Sequence, residues 1–337
     1  MAASQREPHS WDDRVAGPLL STEWSRAMGL RVPVVNAPMG GVAGGRLAAA
    51  VTAAGGLGMI GMGSAGSAAA LRRELPYTES LDGRFGIGLV DWVVAAEPEL
   101  LEVAIAAAPT LIAVSFGTDP SWIERVRAHG IRTATQVYNA TEARRAEDAG
   151  IDVVVARGAE GGGHGAVEMA TLPLLDAVLG AVTVPVLAAG GIGSPASLAA
   201  VLAAGASGAW LGTHLAACSE SSLPEASRRA MLAANGTDTI ATTAFDVAMR
   251  LPWPTRFPAR VLRNDFATRW TGHEDALRTN EAAQAELAAA VAADDPRTAP
   301  VDAGQGVGQV TAVAPAAQVI DELCSGAAEL LDRSFER

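Results

Sequence analysis

One histidine sits where chemistry is easy to place. The segment Val153-Val154-Val155-Ala156-Arg157-Gly158-Ala159-Glu160-Gly161-Gly162-Gly163-His164-Gly165 is a β-branched run that opens into a glycine loop ending on His164. A histidine inside a glycine run has few packing reasons to be there, and imidazole is the side chain that changes charge near physiological pH. His164 is therefore the candidate acid–base residue. Two further runs end in small residues. Val186-Leu187-Ala188-Ala189 leads into Gly190-Gly191, and Ala209-Trp210-Leu211 leads into Gly212-Thr213. Glycines at strand ends let backbone N–H groups approach an anion with no Cβ in the way. Ser194 and Pro195 start a helix immediately after the first glycine pair, which would add the positive end of its dipole. The two glycine turns thus read as halves of one phosphate cradle.

The other candidates are weaker. His129 precedes Gly130 at a helix end and reads as a C-terminal cap. His214 follows the second turn, where it either approaches the phosphate or packs at a helix start. His9 and His273 carry no signal. Glu160 and His164 are four apart, but no further ligand completes a zinc pattern, so no metal is expected. Cys218 and Cys324 are the two cysteines of the chain. They form neither a disulfide framework nor a metal motif, which points to a reducing, cytoplasmic setting.

Strands must carry these loops. Periodicity gives strands near residues 32–36, 57–60, 85–89, 111–114, 133–137, 153–156, 186–188 and 209–211, alternating with helical patterns every ~20 to 35 residues. Eight such units favour a (β/α)8 barrel of the α/β class, whose phosphate site lies after its seventh and eighth strands. A doubly wound sheet is the alternative. Residues 1–31 read as a leader packing on the barrel and 32–222 as its core. Segment 223–297 is rich in Pro, Arg and aromatic residues; it either covers the barrel mouth as a lid or forms a structural or oligomer contact, as in a homodimer. A helical region from Gln309 to Phe335, within 298–337, closes the barrel.

The 337 residues suffice for one large domain, and 49% are hydrophobic. A formal net charge of -12 argues against nucleic acid, because phosphate contacts need clustered Lys and Arg. The first residues lack the apolar core of a signal peptide. The Ala-rich runs are too interrupted by Gly and Pro for a membrane span.

Five motifs, in order, resemble those of the nitronate monooxygenases, formerly 2-nitropropane dioxygenases: Asn36-Ala37-Pro38-Met39-Gly40-Gly41, Ala53-Ala54-Gly55-Gly56-Leu57-Gly58, Gly158-Ala159-Glu160-Gly161-Gly162-Gly163-His164, Ala188-Ala189-Gly190-Gly191-Ile192, and Gly205-Ala206-Ser207-Gly208 with Gly212-Thr213. The resemblance runs from about residue 32 to 220. It reappears weakly at Arg260 to Asn264 and Gly304 to Gly306. FMN-dependent enoyl-[acyl carrier protein] reductases share several of these patterns.

The resemblance implies an FMN-binding TIM barrel. Ala37, Pro38 and Met39 would lie against the isoalloxazine ring, with Gly158 and Gly163 in the loop that approaches it. Gly190, Gly191, Gly212 and Thr213 would hold the phosphate, and His164 would be catalytic. The implied reaction oxidises a small nitronate, or a nitroalkane, with O2 to a carbonyl compound and nitrite. One position departs: Gly88 stands where many members carry a flavin-contacting Asn. Gln136 either replaces that hydrogen bond or is a polar residue of the barrel rim. Two other activities stay open: an NAD(P)H-dependent enoyl reductase, and a barrel that binds a phosphorylated ligand without redox chemistry.

Overall fold

The computed structural model describes residues 20–335. Residues 1–19 of the expected leader, His9 among them, lie outside the described residues. Eight parallel strands form one sheet: β1 (Val34–Asn36), β2 (Met59–Gly61), β3 (Gly86–Val90), β4 (Leu111–Ser115), β5 (Arg132–Val137), β6 (Val153–Arg157), β8 (Val186–Ala189) and β9 (Gly208–Leu211). Each pairs in parallel with its neighbour in the chain, and β9 returns to β1. Leu57, just ahead of β2, closes the ring. Its N–H donates to the Val34 carbonyl at 2.9 Å, and its own carbonyl accepts from Asn36 N–H at 3.2 Å. The eight expected strands are all present, and their cyclic pairing removes the doubly wound alternative.

The period of two along each strand divides the core. Val35, Leu57, Met59, Leu111, Ala113, Ala134, Val153, Val155, Leu187, Ala189 and Trp210 form one buried cluster, the barrel interior. Alternate residues such as Val34, Ile60, Ile112, Val154, Ala156 and Ala188 pack outward against the helices. Trp24 joins the interior cluster from the short helix Glu23–Ala27, so the described end of the leader plugs the barrel.

Helix signals acted as their chemistry dictates. Ser194 caps Pro195–Ala203, its oxygen accepting from Ser197 N–H, with proline at the first turn. The final helix is shorter than expected, running Ala316–Phe335. Gln305–Gln309 is a 3-10 turn instead, because Pro315 cannot sit inside a helix and sets its start. Glu220 then accepts the free Ala316 N–H.

A second, three-stranded antiparallel sheet stands beside the barrel. It joins β10 (Thr239–Thr242), β11 (Ala259–Leu262) and the two-residue β7 (Gly163–His164). The β7 strand belongs to the histidine loop, so the segment after the eighth barrel strand is hydrogen-bonded to that loop.

Trp24→Ala should cost about 3–5 kcal/mol, the range for removing a buried aromatic from a packed core. Chemical denaturation of the purified variant measures the loss.

Candidate active site

The strand alternation extends past the apolar interior to the C-terminal rim. The next inward positions are Ala37, Gly61, Gly88, Ser115, Gln136, Arg157 and Gly212. Half of this layer has almost no side chain, and Pro38 lies across it. A Cβ at Gly88 would fall 2.2 Å from both Cβ and Cγ of Pro38, and a Cβ at Gly61 would fall 2.3 Å from the Pro38 carbonyl carbon. Gly88 is therefore the complement of Pro38, and an Asn side chain has no room in this arrangement. The other half is polar. Ser115 Oγ accepts from Gln136 N–H at 3.1 Å, and Arg157 reaches up into the histidine loop. The Gln136 side-chain oxygen lies 3.4 Å from the Tyr138 hydroxyl. It is half-buried on the rim.

The loop that carries His164 is folded around two guanidinium groups. Arg157 Nη2 donates to three successive carbonyls, those of Gly161, Gly162 and Gly163, at 2.9, 3.1 and 2.9 Å. Arg260, from β11, donates through Nε to the Ala159 carbonyl at 2.9 Å. Gly163 has φ +66°, a conformation that a side chain would strain. Pairing of Ala259 with His164 and Arg260 with Gly163 fixes the register. Glu160 serves structure here: its carboxylate accepts from Thr171 N–H and Oγ1 at the start of helix Thr171–Leu179.

His164 meets a carboxylate that lies 82 residues away in the chain. Its Nε2 is 3.0 and 3.1 Å from the two oxygens of Asp246, which is buried on helix Ala244–Met249. Facing an ionised carboxylate, Nε2 carries the proton, an assignment inferred from the contact. Nδ1 is then the lone-pair nitrogen, and it has no hydrogen-bond partner among the described residues and is not sealed from solvent. One face of the ring is covered by Trp253, stacked at 3.7 Å and 7°. Trp253 is held in turn by Trp92 and Phe116, edge-on at 5.6 and 4.9 Å. Arg256 pins this segment to the barrel through Glu142 and through Glu168 at 3.0 Å, and lies over the Tyr138 and Phe257 rings.

Asp302 completes the surroundings. Crowding of its carboxyl by neighbouring atoms pushes its pKa up, His164 and Arg157 oppose the rise and the Asp246 carboxylate adds to it, in a residue that as a whole stays exposed.

The proposed anion cradle is brought together, with one correction. Gly190 and Gly191 have φ +110° and +70°, and Gly212 adjoins Ala37 and Met39. The segment Gly304–Gly306 bridges the two turns. Thr213 Oγ1 accepts from Gly304 N–H at 2.9 Å, and a Cβ on Gly306 would meet the Gly191 carbonyl at 2.9 Å. The helix start after Ser194 contributes less than expected, since Ser197 Oγ already accepts from the Gly193 and Ser194 N–H groups. Gly158 approaches Thr171, whose Oγ1 would lie 2.2 Å from an added Cβ. His214 Nδ1 contacts the Gly193 carbonyl at 3.0 Å, and His129 Nδ1 contacts the Arg125 carbonyl at its helix end. Two cavities, of about 430 and 290 Å³, open near these elements. The first is lined by Glu160, Thr171, Gly190, Gly191 and Gln305, and the second by Asp246, Arg250, Trp253 and Arg278. A flat floor of glycine and Pro38, a polar edge at Ser115, Gln136 and Arg157, and a backbone cradle beyond it fit a planar heteroaromatic cofactor with a phosphate tail.

Asp246 and Trp253 were not singled out by motif, although each left a trace. Asp246 is a lone carboxylate in the apolar run Ala244-Phe245-Asp246-Val247-Ala248-Met249, and Trp253 is a tryptophan between two prolines. Gly88→Asn should displace Pro38 and lower stability by about 1–3 kcal/mol, the usual cost of overpacking. A thermal melt of the variant beside wild type tests this.

The nitronate monooxygenase family profile matches residues 90–326. The nitronate monooxygenase of Paraburkholderia phytofirmans is 32% identical over 252 residues, covering 61% of this chain and 69% of that protein. A (3aS,4S,5R,7aS)-5-hydroxy-7a-methyl-1-oxo-octahydro-1H-indene-4-carboxyl-CoA dehydrogenase of Rhodococcus jostii is 32% identical over 248 residues, 73% of this chain and 67% of that one. Among solved structures, FabK from Thermotoga maritima superposes with a TM-score of 0.82 at 28% identity, covering 94% of this chain and 99% of that chain. With a family match over most of its length and a barrel that superposes on FabK, the chain belongs to the nitronate monooxygenase family of FMN-dependent oxidoreductases.

Proposed function

We propose that this protein binds FMN and oxidises alkyl nitronates, and nitroalkanes after deprotonation, with O2 to a carbonyl compound and nitrite. The observation that carries this reading is His164, on the glycine loop at the barrel's C-terminal rim, held through Nε2 by Asp246. Gly190, Gly191, Gly212 and Thr213 would hold the phosphate. Ala37, Pro38, Met39 and Gly163 would lie along the ring, with Gln136 at its edge. Bound there, FMN supplies the electron acceptor and the route to O2.

The residues do the proton chemistry. His164 Nδ1 removes the α-proton of a neutral nitroalkane. Asp246 fixes the tautomer that makes Nδ1 the acceptor, and it stabilises the imidazolium that forms. That cation then holds the nitronate, which carries the opposite charge. Trp253 keeps water from one face of the ring. A nitronate supplied as such needs only the anion-holding part of this sequence.

A second reading, an FMN- and NAD(P)H-dependent enoyl-type reductase, is supported by the extent of the FabK superposition. Anaerobic titration, followed in the visible flavin bands, separates the two. Bleaching by propyl nitronate and not by NADPH is expected; bleaching by NADPH alone would favour the reductase, and absence of flavin bands even after FMN is added would sink both. His164→Asn should lower kcat with the neutral nitroalkane by roughly 10²–10⁴, the usual worth of a general base, and should affect the preformed nitronate less. Asp246→Asn should act in the same direction, and steady-state rates with the two substrates compared side by side measure both.

A further inference from the structure

Arg157 is a buried cation without a counter-ion among the described residues. Its exposure is 5%, and it makes no ion pair among the described residues. Nη2 is spent on the three glycine carbonyls, whereas Nη1 is buried with no hydrogen-bond partner among the described residues. A guanidinium keeps its proton in such a place, even though burial draws its pKa down. Removing a charge from water is costly unless an opposite charge compensates it. The carboxylates that feel it, Asp302 and Glu160, act only through space, and Arg260 adds a like charge. Glu160 is already committed to Thr171.

The position of Arg157 says where the missing charge belongs. Val153 and Val155 point into the barrel, so Arg157 is the next inward residue on β6, on the polar side of the rim with Ser115 and Gln136. Opposite lies the glycine and Pro38 floor. We propose that Arg157 is the electrostatic partner of the FMN ring, its fixed positive charge stabilising the negative charge that the ring gains on reduction, while its Nη2 shapes the His164 loop. The inference rests on the FMN reading above. It gives one side chain two tasks: setting the loop that presents the base, and making the cofactor easier to reduce.

The test is the midpoint potential of the bound flavin, read by dye equilibration, with FMN affinity read by fluorescence. The wild-type midpoint should lie above that of free FMN. Arg157→Gln should reduce the preference for reduced over oxidised FMN about tenfold, which is about 30 mV for a two-electron couple. Arg157→Lys keeps the charge and should retain most of the wild-type potential while its melting temperature falls with the lost carbonyl contacts. A Gln variant that binds FMN at the wild-type potential would leave Arg157 as a loop support only and overturn the proposal. A wild-type midpoint at or below the free value would overturn it even if the Gln variant failed to fold. Failure of the wild type to take up FMN at all would instead remove the functional reading on which it rests.

Discussion

The contact between His164 Nε2 and Asp246 joins two parts of the chain that share no local signal. One partner rides on a loop from the sixth barrel strand, the other on a helix of the later segment. Both are largely withdrawn from water, at 17% and 5% side-chain exposure. Leaving either without the other would strand a buried polar group, a loss of roughly 1–3 kcal/mol. Correct docking of the later segment is therefore favoured by the same contact that orients the imidazole. Trp253 stacked on the imidazole, Arg256 tied to Glu142 and Glu168, and the Ala259–His164 pairing all hold the segment in that place.

Loops of glycine are cheap to bend and costly to order, because they lose the most backbone freedom on folding. Here the loop is ordered through its carbonyls. Arg157 gathers three of them from below, and Arg260 takes a fourth from the small sheet. The glycines matter because backbone must pass close to backbone: a Cβ at Gly162 would lie 2.6 Å from Gly304 N. That same contact brings the 301–306 segment, with Asp302, against the histidine loop. Sequence-distant pieces thus meet through main-chain packing, with the charged side chains filling the spaces between.

The floor of the site obeys a related constraint. Pro38 fixes its own backbone and occupies the space above Gly61 and Gly88. A polar side chain at position 88 and this placement of Pro38 exclude each other. At Gly88 the space a side chain would need is thus taken by the Pro38 ring.

Local chemistry made much of this protein legible from its residues. The strands announced themselves as short β-branched runs, the helices by their caps, and the glycine turns by their place at strand ends. His164 stood out because nothing about packing called for it there. Those features depend on neighbours a few residues away, which a sequence displays directly. The final helix begins after Pro315, at Ala316, because proline cannot sit inside a helix. Asp246, Trp253 and Arg157 were a different matter. A lone acid in an apolar helix is as often a solvated defect as a partner, and an arginine at a strand end is as often exposed. What Asp246 and Trp253 touch was decided by how the later segment folds back on the barrel, bringing together groups 82 positions apart; Arg157 turns onto carbonyls of its own loop, and only its burial beneath that loop depends on the wider fold. The sequence by itself determined the barrel, the glycine turns at its strand ends and the histidine among them, because propensity and periodicity act locally; the carboxylate that meets that histidine and the burial of the arginine beneath its loop were decided by the tertiary structure, because burial and charge pairing act through space.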